Sequence, residues 1–451
     1  MRKGVRVIGL LLAYCAAVWF FQGRAWAPPT LLSPRSLSDL LAPLRPRPAP
    51  EAAPAIPEAP PLRPAPRPVE ATPDPGSWAS LIERFRELRA GGRDKIRVVH
   101  LGDSEIIGDG TSNAIRQRLT ERFGWGGLGF GAPMRPVPYY QLSHWSHQDA
   151  DGVEIEAYPL GEVGRGRYGP GGVAFRARAG TVASVTLDHP RTGGCRLRFF
   201  YDPVADGGRI DLSADGEPLE SLDGALAPGA TPAIARYEAT RSPCPRKLGL
   251  RTQGGYTRLY GWSVEYDSPG VVYATLGVVG AQLRHLRHYQ PAHLVESLAA
   301  LEPDLVVLAF GLNLASMSVP PPPSYEAEIG EVLRNLRKGL PGAACLVVGP
   351  YPVGRAEGSH PEARNAARVA EAQRRVAEAV GCMHLDRFAL AGGATTAARW
   401  RATTPRILSG DYRHLTHHGA ERMGDAIGVT LLTAIDGRPA PRRAFLLEEG
   451  G

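Results

Sequence analysis

The sequence predicts an α/β protein, a parallel sheet with helices on both faces, interrupted by an inserted antiparallel β-sandwich domain. Four largely apolar runs, at residues 96–101, 271–279, 304–310 and 344–349, have the composition of parallel strands that are buried on both faces. Segments with helical spacing, at residues 282–301 and 325–340, separate the last three runs. Residues 140–268 hold many short β-like runs separated by Gly, Pro and Asp, which is typical of an antiparallel sandwich.

Length and composition divide the chain further. A chain of 451 residues is long enough for two or three domains. We assign the following segments: 1–27 a signal peptide or membrane anchor, 28–76 a proline-rich linker, 77–139 the first part of the α/β domain, 140–268 the inserted β domain, 269–436 the second part of the α/β domain, and 437–451 a C-terminal tail.

The amino terminus has the form of an export signal. A basic start precedes an apolar run at residues 7–21, and Ala25 and Ala27 offer a cleavage site between small residues. The run is short for a membrane span, but it can also remain as a single anchor. We therefore expect a periplasmic or extracellular protein, held at the inner membrane by residues 7–21 if the signal is uncleaved. The proline-rich residues 28–76 would act as a semi-rigid spacer.

The charge distribution argues against a nucleic-acid partner. The net charge is +7, but residues 1–70 contain nine Arg or Lys and four Asp or Glu, so +5 of this charge lies in the amino-terminal segment. The remaining chain is nearly neutral and shows no basic stripe, which a nucleic-acid-binding domain would require.

The five cysteines do not form a disulfide scaffold, and no Cys-x-x-Cys spacing indicates a zinc site. Cys195 and Cys244 lie in the same β-rich region and could pair outside the cytoplasm. Cys345 and Cys382 lie in apolar strand-like runs and are expected to be buried thiols.

Two histidine pairs, His144/His147 and His285/His288, have a spacing that a metal site could use. Neither pair has a third ligand nearby, so surface or packing roles are favoured. We therefore expect no metal and no cofactor.

Residues 124–129 match the glycine pattern of dinucleotide-binding folds. They follow a predicted helix instead of linking a strand to a helix, which is the wrong context for that function. We predict a loop there.

The segment around Ser104 is the candidate for a nucleophile. The buried strand at residues 96–101 leads into a glycine-containing turn that presents Asp103 and Ser104, and a helix begins at about residue 112. Open α/β folds bind ligands at the carboxyl ends of their strands, and the N–H groups at a helix start favour a developing negative charge. Gly-Asp-Ser is also ordinary turn chemistry, so the site needs further partners.

Three further loops can supply these partners. Gly280 follows one predicted parallel strand, Asn313 follows the next, and Asp411 and His414 precede the last helix. A neutral His can take a serine proton, an Asp can orient the imidazole, and a backbone N–H with an amide can bind the oxyanion. The ordinary alternatives are a helix-start glycine for Gly280 and a turn former for Asn313.

His414 competes with His417 and His418 for the role of base. The latter two lie in the first turn of the final helix and are expected to face solvent or to cap the helix. Asp411 and His414 fit better because both precede that helix in one loop. Asp103 is interpreted as a turn-shaping residue, and Asp411 as the acid.

Four blocks resemble those of the SGNH (GDSL) hydrolase family, in the family's order: Gly102-Asp103-Ser104, Gly280, Gly311-x-Asn313 and Asp411-x-x-His414. The resemblance implies a flavodoxin-like sheet, with Ser104 as nucleophile, His414 as base and Asp411 as its orienter. It also implies an oxyanion hole formed by the Ser104 N–H, the Gly280 N–H and the Asn313 side chain.

This resemblance covers about residues 94–135 and 270–435. The β insertion is similar to that of the SGNH-type peptidoglycan O-acetylesterases, which is carbohydrate-module-like, and residues 261–281 are most like that group. The resemblance implies an exported serine esterase that hydrolyses O-acetyl esters on a cell-wall or extracellular glycan, with peptidoglycan favoured. The alternative is a polysaccharide O-acetyltransferase or a glycan-binding protein of cell-envelope assembly with the same fold.

Glu105 departs from what such a site needs. A carboxylate directly after the nucleophile is expected to favour the charged form of the imidazole and to repel anionic substrates. The substrate class is therefore less defined than the reaction type.

Overall fold

The structure of the protein is a computed structural model that describes residues 75–148, 150–188, 193–317, 319–354 and 361–437. The predicted signal or anchor at residues 1–27, the predicted linker up to residue 74 and the tail beyond residue 437 lie outside the described residues. Within the ranges just given, no helix combines the length and the apolar character that crossing a membrane requires.

The α/β part of the chain flanks the insert in sequence. Before the insert lie helix α1 (Pro75–Arg89), strand β1 (Lys95–Gly102), helix α2 (Gly110–Phe123) and strand β2 (Trp125–Gly131). The insert contains β3 (Trp145–His147), β4 (Val153–Ala157), a short 3-10 helix (Tyr158–Leu160), β5 (Val173–Ala177), β6 (Val182–Leu187), β7 (Cys195–Asp202), β8 (Arg209–Ala214), β9 (Glu217–Asp223), β10 (Ala235–Arg241), β11 (Lys247–Gln253) and β12 (Thr257–Tyr266). After it lie β13 (Gly270–Gly277), a second 3-10 helix (Leu283–His288), α3 (Pro291–Ala299), β14 (Leu305–Ala309), α4 (Leu312–Ala315), α5 (Tyr325–Gly339), β15 (Ala344–Val348), α6 (Pro361–Ala379), β16 (Met383–Leu385), α7 (Arg387–Leu390), α8 (Thr396–Ala402) and α9 (His417–Ile435).

One large sheet runs through both parts of the chain. Its parallel portion has the order β2-β13-β1-β14-β15-β16. Strand β12 of the insert pairs antiparallel with β2, and β7 and β10 continue the sheet beyond it. A second, antiparallel sheet has the order β3-β6-β11-β8-β9. The predicted fold class, an α/β sheet with an additional antiparallel β domain, is confirmed, and the boundaries between the segments stay predictions.

Strand β1 shows why its sequence is a continuous apolar run. Val99 and Leu101 face a hydrophobic cluster that extends into the insert, whereas Ile96 and Val98 face a second cluster that includes side chains of α1, α2 and α9. None of the four side chains is more than 2% exposed. The strand is thus buried on both faces, as such a run predicts.

Two elements differ from the prediction. Residues 124–129, predicted as a loop, form most of β2, which is held between β12 and β13. A Cβ on Gly127 would come within 2.5 Å of the Val264 carbonyl oxygen, so only glycine fits this close approach. The predicted helix over residues 282–301 is a 3-10 helix followed by α3, which begins at Pro291 because proline favours the first helical position.

Two disulfides each join a strand to a residue just outside another strand. Cys195, in β7, bonds to Cys244, as the sequence allowed. Cys345, in β15, bonds to Cys382, just before β16, so the expectation of buried thiols is wrong there. Strands β15 and β16 are adjacent and parallel, which brings the two Cα atoms to 4.8 Å, within the range that a disulfide spans.

Candidate active site

Three parallel strands bring the candidate residues to one edge of the sheet. Strand β1 lies between β13 and β14, and Gly102 is in register with Gly277 on one side and Ala309 on the other. The loops that begin after these residues are therefore neighbours. Ser104 follows the central strand, and the loops of Gly280 and Asn313 follow the two flanking strands. This is the edge at which open α/β folds place ligands.

Ser104, His414 and Asp411 form a hydrogen-bonded series. The Ser104 Oγ lies 3.0 Å from His414 Nε2, and His414 Nδ1 lies 2.6 Å from Asp411 Oδ2. When Nδ1 carries the proton and donates it to the carboxylate, Nε2 can accept the serine proton. Ser104 is partly exposed, so a substrate carbonyl can reach its oxygen. The structure thus brings together the three residues that the sequence singled out.

Several donors surround the carboxylate of Asp411. Its Oδ1 accepts hydrogen bonds from the Ser409 hydroxyl at 2.5 Å and from the N–H groups of Arg413 and His414 at 3.0 Å each. Burial opposes ionisation, but these hydrogen bonds and the one from the imidazole lower the pKa of Asp411 well below its usual range. A carboxylate that stays ionised can stabilise the imidazolium that forms when His414 takes a proton.

The loop that carries His414 is fixed where α9 begins. Thr416 is the N-cap of α9, and its hydroxyl accepts the Gly419 N–H at 3.1 Å. The Ser409 N–H donates to the His414 carbonyl at 2.8 Å, which closes the loop on itself. Both contacts are local, and the first of them follows from a threonine placed directly before a helix.

The competing histidines lie beyond this loop. His417 is the first residue of α9, and its side chain is 82% exposed and 3.2 Å from Glu421. This confirms that it faces solvent, and His418 is the next residue of the helix. Only His414 of the three contacts Ser104 among the described side-chain hydrogen bonds.

Gly280 and Asn313 lie in loops that contact each other. The Asn313 side-chain amide donates to the Ala281 carbonyl at 2.9 Å, directly beside Gly280. Gly280 is exposed and has a φ of +72°, in the left-handed region that favours glycine. The Asn313 amide carries a second N–H, which a substrate oxygen can use. Their roles as oxyanion donors stay predictions.

Asp103 is buried next to Ser104. It is fully excluded from solvent, and its Oδ1 accepts the Glu105 N–H at 3.1 Å. Burial, and then the negative charge of Glu105, raise the pKa of Asp103 to about 7, against the charge of Arg387 and two backbone N–H groups. The contact to the following backbone suits a turn-shaping residue, and Asp103 takes no part in the series from Ser104 to Asp411.

Glu105 does not face the substrate side. Its side chain is 2% exposed, and its two oxygens lie 2.5 and 2.6 Å from Arg387 Nη1. The expectation that this carboxylate charges the imidazole and repels anionic substrates is therefore wrong, because a buried guanidinium neutralises it. The sequence offers no signal for Arg387, since it lies 282 positions from Glu105.

A third buried carboxylate, Asp109, organises the turn after Ser104 and has no signature in the sequence. It is 1% exposed and has a φ of +56°. Its oxygens accept hydrogen bonds from Ser112, Thr275, Arg116 and the Ser143 N–H, at 2.6, 3.0, 2.5 and 2.8 Å. These partners lie in α2, β13 and the loop after β2, so one carboxylate ties three elements to the turn.

The histidine pairs contact backbone groups. Ring nitrogens of His144, His147 and His288 lie 2.7 to 3.0 Å from backbone carbonyls, and His285 Nδ1 lies 3.3 Å from the Gln282 nitrogen. Across the part of the chain that the structure describes, no three His, Cys, Asp or Glu side chains are placed to hold a metal ion.

Comparison with known proteins gives a family and a fold. Residues 240–422 match the GDSL-like lipase/acylhydrolase family, whereas no curated protein sequence matches significantly. The chain is similar to the solved structure of a peptidoglycan O-acetylesterase, with a TM-score of 0.68 and 20% identity over 81% of this chain and 99% of that chain.

Two weaker structural matches are a family two carbohydrate esterase from Cellvibrio japonicus and a lipase/acylhydrolase from Enterococcus faecalis. The first has a TM-score of 0.28 and 11% identity over 65% of this chain and 99% of that chain. The second has a TM-score of 0.27 and 17% identity over 38% of this chain and 80% of that chain. TM-scores this low do not indicate a shared overall fold.

The matched range and the fold agree on the same site. Residues 240–422 include Gly280, Asn313, Asp411 and His414, and the sheet places Ser104 beside them. The predicted resemblance to the SGNH (GDSL-like) hydrolases is thereby confirmed over residues 240–422, and the fold of the chain agrees with it.

Proposed function

We propose that this protein is an exported serine esterase that hydrolyses O-acetyl esters on a cell-wall glycan, with peptidoglycan as the favoured substrate. The observation that carries the proposal is the series Ser104–His414–Asp411, with contacts of 3.0 and 2.6 Å. A serine, an imidazole and a carboxylate in this order supply a nucleophile, a general base and an orienter.

The chemistry follows from this geometry. Ser104 attacks the acetyl carbonyl while His414 takes its proton, and Asp411 stabilises the resulting imidazolium. The oxyanion accepts hydrogen bonds from the Ser104 N–H, the Gly280 N–H and the Asn313 amide. The tetrahedral intermediate collapses as the bond between the acetyl carbon and the glycan oxygen breaks, and His414 gives its proton to that oxygen, which leaves as a hydroxyl. Water, activated by His414, then attacks the acyl-enzyme and releases acetate.

The choice of an acetylated glycan rests on likeness. The solved structure with the TM-score of 0.68 is that of a peptidoglycan O-acetylesterase. It spans 81% of this chain, a share large enough to include the insert as well as the α/β domain. This supports a related substrate, an O-acetyl group on a polysaccharide, and a carbohydrate-module-like role for residues 140–268.

Two features support an exported location. Both disulfides, Cys195–Cys244 and Cys345–Cys382, are of a kind that persists in oxidising compartments. The sequence of residues 1–27 has the form of an export signal. We propose a periplasmic or extracellular enzyme, with residues 7–21 either removed or retained as an anchor.

The test is acetate release by the purified protein from acetylated peptidoglycan, acetylated xylan and a p-nitrophenyl acyl series. We expect hydrolysis of short acyl esters, and Ser104→Ala should abolish it. Ser80→Ala, the same change at an exposed helical serine, is the matched control. Acetate release by Ser104→Ala at the wild-type rate would contradict the proposal. Transfer of acetyl groups to a sugar acceptor without hydrolysis would favour the O-acetyltransferase alternative.

A further inference from the structure

We propose that Glu105, Arg387 and Tyr351 form a buried bridge that keeps the turn of Ser104 aligned with the loop of His414. The inference rests on the proposed function, because it assigns positioning roles for the reaction at that same site. The bridge runs from the residue after the nucleophile to the residue before the base.

At the nucleophile end, the bridge begins with Glu105. Both of its carboxylate oxygens contact Arg387 Nη1, at 2.5 and 2.6 Å. The Thr111 hydroxyl, in the first turn of α2, donates to Glu105 Oε1 at 3.3 Å. The backbone that carries Ser104 is therefore tied through its neighbouring side chain to a fixed cation.

In the middle of the bridge, Arg387 is anchored to the sheet. Its side chain is 1% exposed, and its Nε donates to the Gly349 carbonyl at 2.5 Å. Gly349 directly follows β15, so this contact fixes the guanidinium against a strand end. The guanidinium carbon also lies 5.1 Å from the centroid of the Tyr351 ring, within the distance of a cation–π contact.

At the base end, Tyr351 reaches the loop of the triad. Its side chain is fully buried, and its hydroxyl donates to the Arg413 carbonyl at 3.0 Å. Arg413 directly precedes His414. The Gly354 N–H donates to the Tyr412 carbonyl at 2.9 Å, so the segment after β15 holds this loop at two successive residues.

The triad needs such support because solvent reaches it. The side chains of His414 and Asp411 are 39% and 48% exposed, so packing from above does little to fix them. Loops on the surface are more mobile than the elements that they connect. A buried ion pair resists separation, because each partner would be left as an uncompensated charge. The alignment of His414 with Ser104 thus depends on contacts with buried residues, such as the hydrogen bond from Tyr351.

The bridge also balances charge beneath the nucleophile. Burial, and then the charge of Arg387, lower the pKa of His100 to about 3. Burial and the charge of Glu105 raise the pKa of Asp103, whereas the charge of Arg387 lowers it. Burial raises the pKa of Tyr351, with Glu105 and Arg387 acting in opposite directions. Removing one partner of the ion pair therefore changes the field at the site, and the sign depends on which partner is lost.

The test compares Arg387→Met and Glu105→Gln in the full-length enzyme. In both variants we expect kcat to fall by about tenfold or more and KM to change by less than about twofold, since misalignment acts on the chemical step. On the acid side, the pH of half-maximal kcat/KM should rise in Arg387→Met, because the remaining carboxylate favours a protonated imidazole. The same pH of half-maximal kcat/KM should fall in Glu105→Gln. Each shift should be about half a pH unit.

Two further variants separate positioning from folding. Tyr351→Phe removes a single hydroxyl and no charge, so kcat should fall several-fold with the pH profile unchanged. Arg198→Met is the matched control: this arginine is also 1% exposed and lies 2.5 Å from a buried carboxylate, but in β7 of the insert. It should lower the melting temperature and leave kcat and the pH profile at wild-type values.

The outcomes are distinct. If the two charge variants shift the acid side in the same direction or not at all, and Tyr351→Phe keeps the wild-type kcat, the bridge only stabilises the fold and the proposal fails. That result leaves the proposed function intact, provided that Ser104→Ala is inactive. An active Ser104→Ala enzyme instead removes the proposed function, and with it the premise of the bridge.

Discussion

We expect Asp103 to make the stability of this protein depend on pH near neutrality. Its pKa is raised to about 7 by burial and by Glu105, from an ordinary value of 3.8. A carboxyl group whose pKa is raised on folding contributes stability that is fully present below pH 4 and is lost as the pH rises through 7. Asp103→Asn removes this loss, and an amide oxygen can still accept the Glu105 N–H.

We therefore expect the melting temperature of Asp103→Asn, relative to wild type, to be higher at pH 8 than at pH 5. A difference of a few degrees is the expected size, because 1 kcal/mol corresponds to about 2–4 °C in large domains. Differential scanning calorimetry from pH 5 to pH 9 measures it. A constant difference between the two proteins over that range would show that Asp103 does not titrate there.

Asp411 should matter for the rate and little for stability. Asp411→Asn keeps the shape of the side chain, but an amide nitrogen facing His414 Nδ1 would favour the wrong tautomer. We expect kcat to fall by about 10²–10⁴-fold, since orienting the imidazole is a large part of triad catalysis. Steady-state hydrolysis of p-nitrophenyl acetate measures the loss.

The matched control for this change is Asp425→Asn. Asp425 lies on α9, is 46% exposed and pairs with Arg118 on the surface. It should keep the wild-type rate, because exposed ion pairs contribute little. Equal kcat values for the two variants would remove Asp411 from the catalytic series.

The hydrogen-bonded series of Ser104, His414 and Asp411 was predictable from the sequence, but the buried ion pair of Glu105 and Arg387 was not. Asp411 and His414 are three residues apart in one loop, so a local pattern marks them, and Ser104 follows an apolar strand. Arg387 and Glu105 are 282 positions apart, and no residue pattern near either of them in the sequence indicates that they pair. A buried ion pair of this kind depends on which loops the order of the strands brings together. The spacing of residues within a short segment does not predict that order.

At the level of elements, the packing of α9 against α2 brings the loop of His414 towards the turn of Ser104. Helix α2 begins at Gly110, just after the turn of Ser104, and α9 begins at His417, just after His414. A Cβ on Gly424 would lie 2.2 Å from the Thr111 carbonyl oxygen. Only glycine permits this approach, so the spacing of the two helices is set at this point.

Gly424→Ala should therefore push the helices apart. We expect a loss of stability of about 1–3 kcal/mol, which is typical of overpacking, and a lower kcat because the two loops shift with their helices. Gly428→Ala, one turn later, would meet Arg118 Cβ and Cγ at 3.0 Å and the backbone of Ile115 only at 3.6 Å, so it should cost less stability than Gly424→Ala. Urea denaturation and kcat measure both effects. Equal stabilities of the two variants would show that the contact at Thr111 adapts.

Elements were predictable where side chains carry the pattern. The apolar runs at residues 96–101 and 304–310 became β1 and β14 with small changes of boundary. Strand β2 escaped prediction because its glycines offer no side chains to alternate, and its backbone fits between β12 and β13 for that very reason. The extended conformation of β2 therefore depends on its pairing with β12 and β13 and not on its local sequence.

At the scale of the whole molecule, the insert shares a sheet with the α/β domain. Glu265, in β12, is 3% exposed and contacts Arg97 of β1 at 2.9 Å, and Arg196 and Arg198 of β7 at 2.8 and 2.5 Å. This cluster lies across both parts of the chain. The sequence predicted a separate inserted domain, because nothing in residues 140–268 shows which strand would pair with β2.

The charge of Glu265 stabilises both parts at once. Burial opposes its ionisation, but the hydrogen bonds and charges of the arginines lower its pKa to about 2, from an ordinary value of 4.5. A depressed pKa contributes stability that is present above pH 4.5 and is lost as the pH falls through 2. Glu265→Gln leaves three guanidinium groups beside a neutral side chain.

We expect Glu265→Gln to lower the free energy of unfolding by about 3–5 kcal/mol at pH 7, as when one partner of a buried ion pair is removed. The insert and the α/β domain should still unfold in one calorimetric transition, because one sheet and one hydrophobic cluster span both. Hydrogen exchange should increase in peptides of both parts, and the difference from wild type should shrink towards pH 2.

Glu238→Gln, at the 39% exposed rim of the same cluster, should change stability by less than about 1 kcal/mol. Two separate transitions, or faster exchange in the insert alone, would show that the continuous sheet does not couple the two parts.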